Sequence, residues 1–312
     1  MGPRLKADEI TIATDAAVSA TGIAQLFASV VLLASAWPLT KLAIAAGTTP
    51  LWFAEGRAVL SGLIAATLLL PFGGIKFPSR TDLPAILATG GLQLGFYFAL
   101  AHEAAAWVQA GRIAILANTT TIWVVPLSLI FLREPIPARR WIAAGIGITG
   151  VLVLINPFAI NWSNLNVVIG HLFLLGAALS WSVAIIVTRA RRPVSSMFAV
   201  LPWCFVVGAV VLAPLVAWHA PHGTLGHQPI SWIALAYIGL IAGPLGTWCV
   251  MEATAKLPAL VSSVGFLTTP AVSLLIATVF LREPMTPDLL VGSALIMAGA
   301  AVAAWPKRTS RR

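Results

Sequence analysis

The sequence predicts an all-α integral membrane fold of ten transmembrane helices arranged as two five-helix inverted repeats. Three observations carry that expectation. Of 312 residues, 59 % are hydrophobic and only 9 % charged, against about 45–50 % and about 25 % in soluble proteins, so the chain cannot cover a water-facing surface. The apolar residues gather into ten runs, most near the roughly 20 residues that a helix needs to cross a hydrocarbon core. The chain also matches itself at a constant offset of 149 residues.

The runs are Ile23–Ala45, Leu51–Leu70, Leu83–Ala101, Trp107–Leu132 and Ile142–Ile155, then Val167–Thr188, Phe198–Trp218, Ile230–Met251, Leu257–Leu281 and Leu289–Ala304. Barrel strands alternate apolar and polar residues, and runs such as Val206–Val216 do not. The first run is no signal peptide, because Asp8, Glu9 and Asp15 precede it and the apolar stretch continues past the small-residue Ala34-Ser35-Ala36 site. With ten spans both termini share one side. That side collects fifteen of the 19 lysines and arginines, Lys76, Arg80, Arg189 and Lys307 among them, which the positive-inside rule makes cytoplasmic. The net charge of +9 then reflects topology and anionic lipid. It does not point to nucleic acid, since no basic patch interleaved with aromatics occurs.

The repeat shows in Leu132-Arg133-Glu134-Pro135, which returns as Leu281-Arg282-Glu283-Pro284, in Glu103-Ala104 and Glu252-Ala253, and in Thr119-Thr120 and Thr268-Thr269. Five spans per half turn the second half upside down. Inverted repeats characterise secondary transporters, whose substrate site lies near the midplane between the halves. The expected divisions are a cytoplasmic tail (1–22), a first repeat (23–156), an outer loop (157–166), a second repeat (167–305) and a basic cytoplasmic tail (306–312).

These residues resemble a known family. An early Trp37, Ala110-Gly111-Arg112 opening the fourth span, Leu-Arg-Glu-Pro closing the fourth and ninth, and glycine-rich fifth and tenth spans are similar to the EamA-type drug/metabolite transporter superfamily. Within it, the likeness is to bacterial aromatic amino-acid exporters. The resemblance spans residues 23 to 305 and implies an inner-membrane exporter of amino acids or similar small metabolites. One departure is Pro270 in the second repeat where the first has Thr121, with Pro126 five residues later.

No carboxylate, lysine, arginine or histidine falls at a span centre, which argues for facilitated diffusion of a solute of little net charge, because a membrane-centre ionisable group is the usual proton relay. Coupling through Glu55 or Glu103 is the alternative. Lys41, Glu55, Arg57, His102, Glu103 and Arg112 gather near the outer mouth. One reading makes them snorkelling side chains and rim ion pairs. The other has Lys41 and Arg112 attract a substrate carboxylate or pair with Glu55 or Glu103 as a gate.

The expected substrate-binding residues are Trp37, Gln93, Tyr97, Asn118, Thr119, Trp181, Thr268 and Thr269. Buried amides require partners, and uncharged amides and hydroxyls can hold an amino acid's ends. Against this, threonines bond their own helix carbonyls and tryptophans fill helix interfaces. Gly91–Gly95 and Gly239–Gly243 read as close-packing or hinge points.

Other classes lack their motifs. There is no His-Glu-x-x-His, no phosphate-binding Gly-x4-Gly-Lys-Ser/Thr loop and no pair of intramembrane aspartates, so neither an enzyme nor an ATP-driven pump is expected. A channel would need rings of charge or carbonyls. No cofactor or metal is expected, His219, His222 and His227 reading as a solvated loop. The partners are a small-molecule substrate and the bilayer, and one chain suffices.

Overall fold

The computed structural model describes residues 19–304 apart from 74, 134–137, 156–163, 192, 258–260, 262–264 and 267. Among the described residues the protein is all helix and loop, with no strand. Helices α1 (Ala20–Ala34) and α2 (Ala36–Ala45) form one rod bent at Ser35, and α3 (Pro50–Leu69) returns beside it. Next, α4 (Leu83–Leu87), a π-helical stretch (Ala88–Phe96) and α5 (Tyr97–Ala105) run on as one rod. Helices α6 (Ala110–Leu116) and α7 (Thr120–Leu132) are separated by a break, and α8 (Ala138–Ile155) follows. The second half holds α9 (Leu165–Ala190), α10 (Met197–His219), the rod of α11 (Pro229–Ala236), a π-helical stretch (Tyr237–Ala242) and α12 (Gly243–Lys256), then α13 (Thr269–Leu281) and α14 (Pro287–Ala304).

Six of these rods are long and apolar enough to cross a membrane: Ala20–Ala45, Pro50–Leu69, Leu83–Ala105, Leu165–Ala190, Met197–His219 and Pro229–Val250. Four apolar helices are shorter, Ile122–Leu132, Trp141–Leu154, Thr269–Leu281 and Pro287–Val302. The expected run Trp107–Leu132 is not one continuous helix because Ala117–Thr119 forms a turn. The first part of Leu257–Leu281 lies largely outside the described residues. Local chemistry sets the ends. Ser19 Oγ accepts from the Gly22 N–H at 3.2 Å and Ser196 Oγ from the Ala199 N–H at 3.3 Å, each capping a first turn. Proline opens α3 and α11, where its missing N–H has no helical partner to lose. Arg133 and Arg282 stop α7 and α13 in the left-handed conformation, at φ 52° and 55°.

The 149-residue offset reappears in three dimensions. Both π-helical stretches begin on it (Ala88 and Tyr237), as do α7 and α13 at both ends, α8 and α14 at both ends, and the left-handed arginines. Helices α8 and α14 cross in opposite directions through glycines. A Cβ on Gly150 would lie 2.8 Å from the Ile296 nitrogen and 2.9 Å from the Gly292 carbonyl oxygen, and one on Gly299 would lie 2.7 Å from the Ala143 oxygen and 3.0 Å from the Gly147 nitrogen. Ala143 and Gly147 are the offset partners of Gly292 and Ile296, so the contacts are reciprocal, the pattern of a two-fold interface.

The π-helical turns have local causes. Pro244 has no N–H and its ring crowds the preceding turn, and just ahead of it the Gly243 N–H reaches back five residues to the Ile238 carbonyl. In that register Pro244 would face the Gly239 carbonyl with no proton to give. Ser61 Oγ donates to that carbonyl instead, at 3.0 Å. In the other π-helical stretch the Tyr97 N–H reaches Leu92, whose carbonyl also accepts from Ser180 Oγ at 2.8 Å. The wider turn changes which glycines pack. A Cβ on Gly90 would lie 2.5 Å from the Cys204 oxygen and one on Gly95 2.7 Å from Val211, while one on Gly91 would meet Val211 only at 4.0 Å. The expected Gly91–Gly95 pair is therefore Gly90–Gly95, because an i→i+5 turn brings residues five apart together.

At the end of the bundle that carries Lys76, Arg80, Arg189 and Arg191, Asp82 ties the halves together. Its Oδ1 accepts the Val194 and Ser195 N–H groups at 2.8 and 3.0 Å. Oδ2 accepts the Ser79 and Ser195 hydroxyls at 2.7 and 2.9 Å and the Ser79 N–H at 3.0 Å, the last as in a capping box. The Ser79 hydroxyl, then the Ser195 N–H, hold its carboxyl well below the usual carboxylate range. A depressed folded pKa stabilises the fold above the unfolded value and is lost as pH falls through the folded one. The tie is thus intact at neutral pH and persists below pH 4. Asp82→Asn removes the charge behind these bonds and weakens the tie. Faster exchange of the Val194 and Ser195 amides is the expected readout.

Gly150→Val must push α8 off the α14 backbone, an overpacking cost of about 1–3 kcal/mol. Gly145→Val, on the same helix with nothing within 4 Å of its Cβ, should leave the detergent melting temperature unchanged.

Candidate functional site

A cavity of about 540 Å³ lies at the basic end, lined by Thr89 and Gln93 of the first π-helical stretch, Ile185, Thr188 and Arg189 at the end of α9, and Pro193, Ser195 and Met197 beyond. Small-molecule sites occupy about 300–1,000 Å³, so a metabolite of amino-acid size fits. Ser195 also belongs to the Asp82 tie, which places that tie at the cavity wall.

One helical turn beyond Gln93, about 6 Å along the axis, three aromatic rings cluster. Tyr97 meets Trp181 edge-on at 4.8 Å and Trp37 edge-on at 6.3 Å. Trp37 follows directly on the Ser35 bend, whose hydroxyl hydrogen-bonds the Tyr237 hydroxyl at 2.9 Å. Trp181 is held between two serines that grip the irregular backbones. Ser180 donates to Leu92, and Ser182 Oγ lies 2.6 Å from the Ala178 carbonyl and 3.2 Å from that of Thr120, at the α6–α7 break. Trp37, Tyr97 and Trp181 thus meet in one aromatic cluster, with Gln93 one helical turn away at the cavity wall.

The remaining expected binders do not join them. Asn118 is exposed and turns its amide onto the Ala114 carbonyl at 2.6 Å. Thr119 is buried and donates to Leu116, and Thr268 donates to Gly265, at 2.7 and 2.6 Å. Thr269 is half-buried as the first residue of α13. Short polar side chains at a helix break satisfy their own backbone first. Deep tryptophans divide likewise. Trp203 Nε1 donates to the Lys76 carbonyl at 3.0 Å beside Phe77, so it belongs to the basic end, and Trp248 is exposed.

Past the aromatic layer the structure departs from the expected outer mouth. His102 is entirely buried, with Trp37, Phe98 and Phe53 rings at 5.5, 5.6 and 6.0 Å. Its Nδ1 lies 2.7 Å from the Phe98 carbonyl and its Nε2 has no partner. Arg57 is only 8 % exposed, with its guanidinium carbon 4.0 Å from the Phe98 ring centre. Both were expected at the rim. They lie inside because helices α3 and α5 turn these positions toward each other, a fact that distance from a span end does not reveal.

Neither Lys41 nor Arg112 meets Glu55 or Glu103. The Lys41 ammonium donates to the Ala105 and Val108 carbonyls at 2.6 and 2.9 Å, at the end of α5, where a cation complements the helix dipole. Arg112 forms an ion pair with Asp288 and donates to the Leu154 carbonyl. Glu283, from the repeated Leu-Arg-Glu-Pro, accepts the Ala110 and Gly111 N–H groups at 2.7 and 3.0 Å, capping α6 from the other half of the chain. Among the described residues Glu55 and Glu103 make no ion pair, and Glu55 Oε2 is buried without a partner. The Glu134 counterpart lies outside the described residues. The serines 61, 180 and 182 and the buried places of Arg57 and His102 are what sequence reasoning missed. Serines flanking Trp181 in an apolar run were the available signal.

The chain matches the EamA-like transporter family twice, over residues 20–156 and 168–305. It is 26 % identical over 282 residues to a probable terminal-alkyne amino-acid exporter of Streptantibioticus cattleyicolor, covering 88 % of this chain and 90 % of that one. It is also 26 % identical over 255 residues to a probable amino-acid metabolite efflux pump of Salmonella typhimurium, covering 74 % and 81 %. A crystal structure of a protein 20 % identical superposes with a TM-score of 0.63 over 92 % of this chain and 96 % of the other, which speaks for the fold alone. Two family matches, a multi-pass apolar helical bundle and a metabolite-sized cavity agree that this chain is a membrane transporter of the EamA-like family.

Proposed function

We propose that the protein exports small neutral or zwitterionic metabolites, amino acids including aromatic ones among them, by alternating access without ion coupling. The observation that carries this reading is the cavity at Gln93 together with the Trp37–Tyr97–Trp181 layer one helical turn away. The cavity's size suits an amino acid, Thr89 and Gln93 offer uncharged polar groups beside the cation Arg189, and the neighbouring rings suit a bulky apolar side chain. Two relatives bear names of amino-acid or metabolite exporters, which supports the substrate class.

In this reading the halves, 23–156 and 167–305, are five-helix inverted repeats making ten spans, and both termini are cytoplasmic in the bacterial inner membrane. The reciprocal α8–α14 contacts support the inversion, and the clustering of basic residues supports the orientation. The cavity then faces the cytoplasm while Glu283, Arg112 and Lys41 hold the outer end closed. Rocking of the halves would open that end. One chain contains the whole path.

A second reading, a proton-coupled antiporter, rests on the buried, unpartnered Glu55 Oε2, since a lone intramembrane carboxylate is commonly functional. The test is flux of labelled tryptophan, phenylalanine, alanine and glutamate into liposomes carrying the purified protein, with and without a pH gradient. Saturable aromatic flux that needs no gradient is the expected result. A strict gradient requirement that Glu55→Gln abolishes would select the antiporter, and no amino-acid flux at all would refute the substrate class. Gln93→Ala and Trp181→Ala each remove one contact of about 1.4 kcal/mol and should lower flux about tenfold.

A further inference from the structure

We propose that Arg57 and His102 form a second, outer subsite that takes the two ends of an α-amino acid, the guanidinium receiving the carboxylate and the His102 Nε2 the ammonium. The inference rests on the transporter reading above and adds to it the group by which the substrate is recognised.

Cations occur at both ends of the bundle. Three of them, Lys41, Arg57 and Arg112, lie toward the end opposite the cavity. Lys41 is satisfied by two backbone carbonyls, and Arg112 by Asp288 and Leu154. Arg57 has neither kind of partner. Among the described residues its guanidinium makes no ion pair and no hydrogen bond, its Nε is buried and unpartnered, and its only close contact of charge is the Phe98 ring. Arginine stays protonated in proteins, and it lies seven residues into α3, roughly 10 Å along the helix. A buried charge normally persists only when paired. Contact with a ring leaves the guanidinium N–H groups without an acceptor. A carboxylate is the anion that a guanidinium fork matches in a bidentate way.

His102 supplies the complementary half. The Phe98 carbonyl can only accept, so the Nδ1 beside it carries the proton, and in the neutral ring Nε2 is left as a lone-pair acceptor. It is wholly buried and unpartnered. Arg57 and His102 both lie against the Phe98 ring. One site thus holds an unanswered cation and an unanswered acceptor, the complement of a zwitterion. The site lies beyond Tyr97 as seen from the cavity, since Phe98 and His102 follow Gln93 and Tyr97 along the same rod. A solute crossing the aromatic layer would be handed from Gln93 to Arg57.

The test compares matched solutes in the liposome assay: tryptophan, tryptamine (which lacks the carboxylate) and indole-3-propionate (which lacks the ammonium). Wild-type protein should favour tryptophan over tryptamine at least tenfold. Arg57→Gln should reduce that ratio at least tenfold, with tryptamine flux falling less than tryptophan flux, and Arg57→Lys should restore part of it. His102→Phe should instead reduce the preference for tryptophan over indole-3-propionate. Equal wild-type flux of tryptophan and tryptamine overturns the proposal without any variant. So does an Arg57→Gln protein that slows both solutes equally. Loss of all amino-acid flux in the wild type overturns the transporter's substrate class and this subsite together, so the two failures are distinguishable.

Discussion

Every backbone polar group inside a bilayer must be satisfied by the protein itself, and in this protein a neighbouring helix supplies a donor where the helical ladder is opened. Ser61 answers the Gly239 carbonyl at the second π-helical stretch, Ser180 adds a donor at Leu92 in the first, and Ser182 reaches Thr120 at the α6–α7 break. Each donor lies on a different rod from its acceptor. The irregular turns therefore exist only in the assembled bundle, and they place Gln93, Tyr97 and Trp181 along one path. A straight α-helical third rod would rotate Gln93 away from that path and separate Gly90 from Gly95.

The two ends of the path differ in kind. At the basic end Asp82 gathers five hydrogen bonds from its own turn and from residues 194–195, bracing the mouth of the cavity without filling it. At the other end Glu283 caps α6, Asp288 holds Arg112 and two carbonyls hold Lys41. Two of those three ties join the halves of the chain. Exposed ion pairs are worth little in water, but these are partly buried, and in the proposed cycle they would break together.

Much of the architecture was legible in the sequence because it depends on local, repeated signals. The Leu-Arg-Glu-Pro segments mark the ends of α7 and α13, and the 149-residue offset carries through to π-helical stretches that no motif announced. The site was legible in part. Trp37, Gln93, Tyr97 and Trp181 stood out as polar or aromatic groups deep in apolar runs, and they converge. Asn118, Thr119 and Thr268 stood out equally, yet they bond their own backbone, a choice set by the helix break and invisible without it. The cations were the hardest to read. Lys41, Arg57 and Arg112 all lie near span ends in sequence, and only the rotation of each helix decides that two meet partners and the third faces a ring.

The central claim is that the path is reachable from one face of the membrane at a time. It is tested most directly by replacing the two buried cysteines, Cys204 and Cys249, with alanine and introducing Gln93→Cys. The rate of labelling by a membrane-impermeant maleimide is then measured from each face of oriented vesicles. The account predicts labelling from the face that bears the basic loops, slowed by saturating substrate, with little from the other. Equal labelling from both faces, or labelling only from the opposite one, would contradict it.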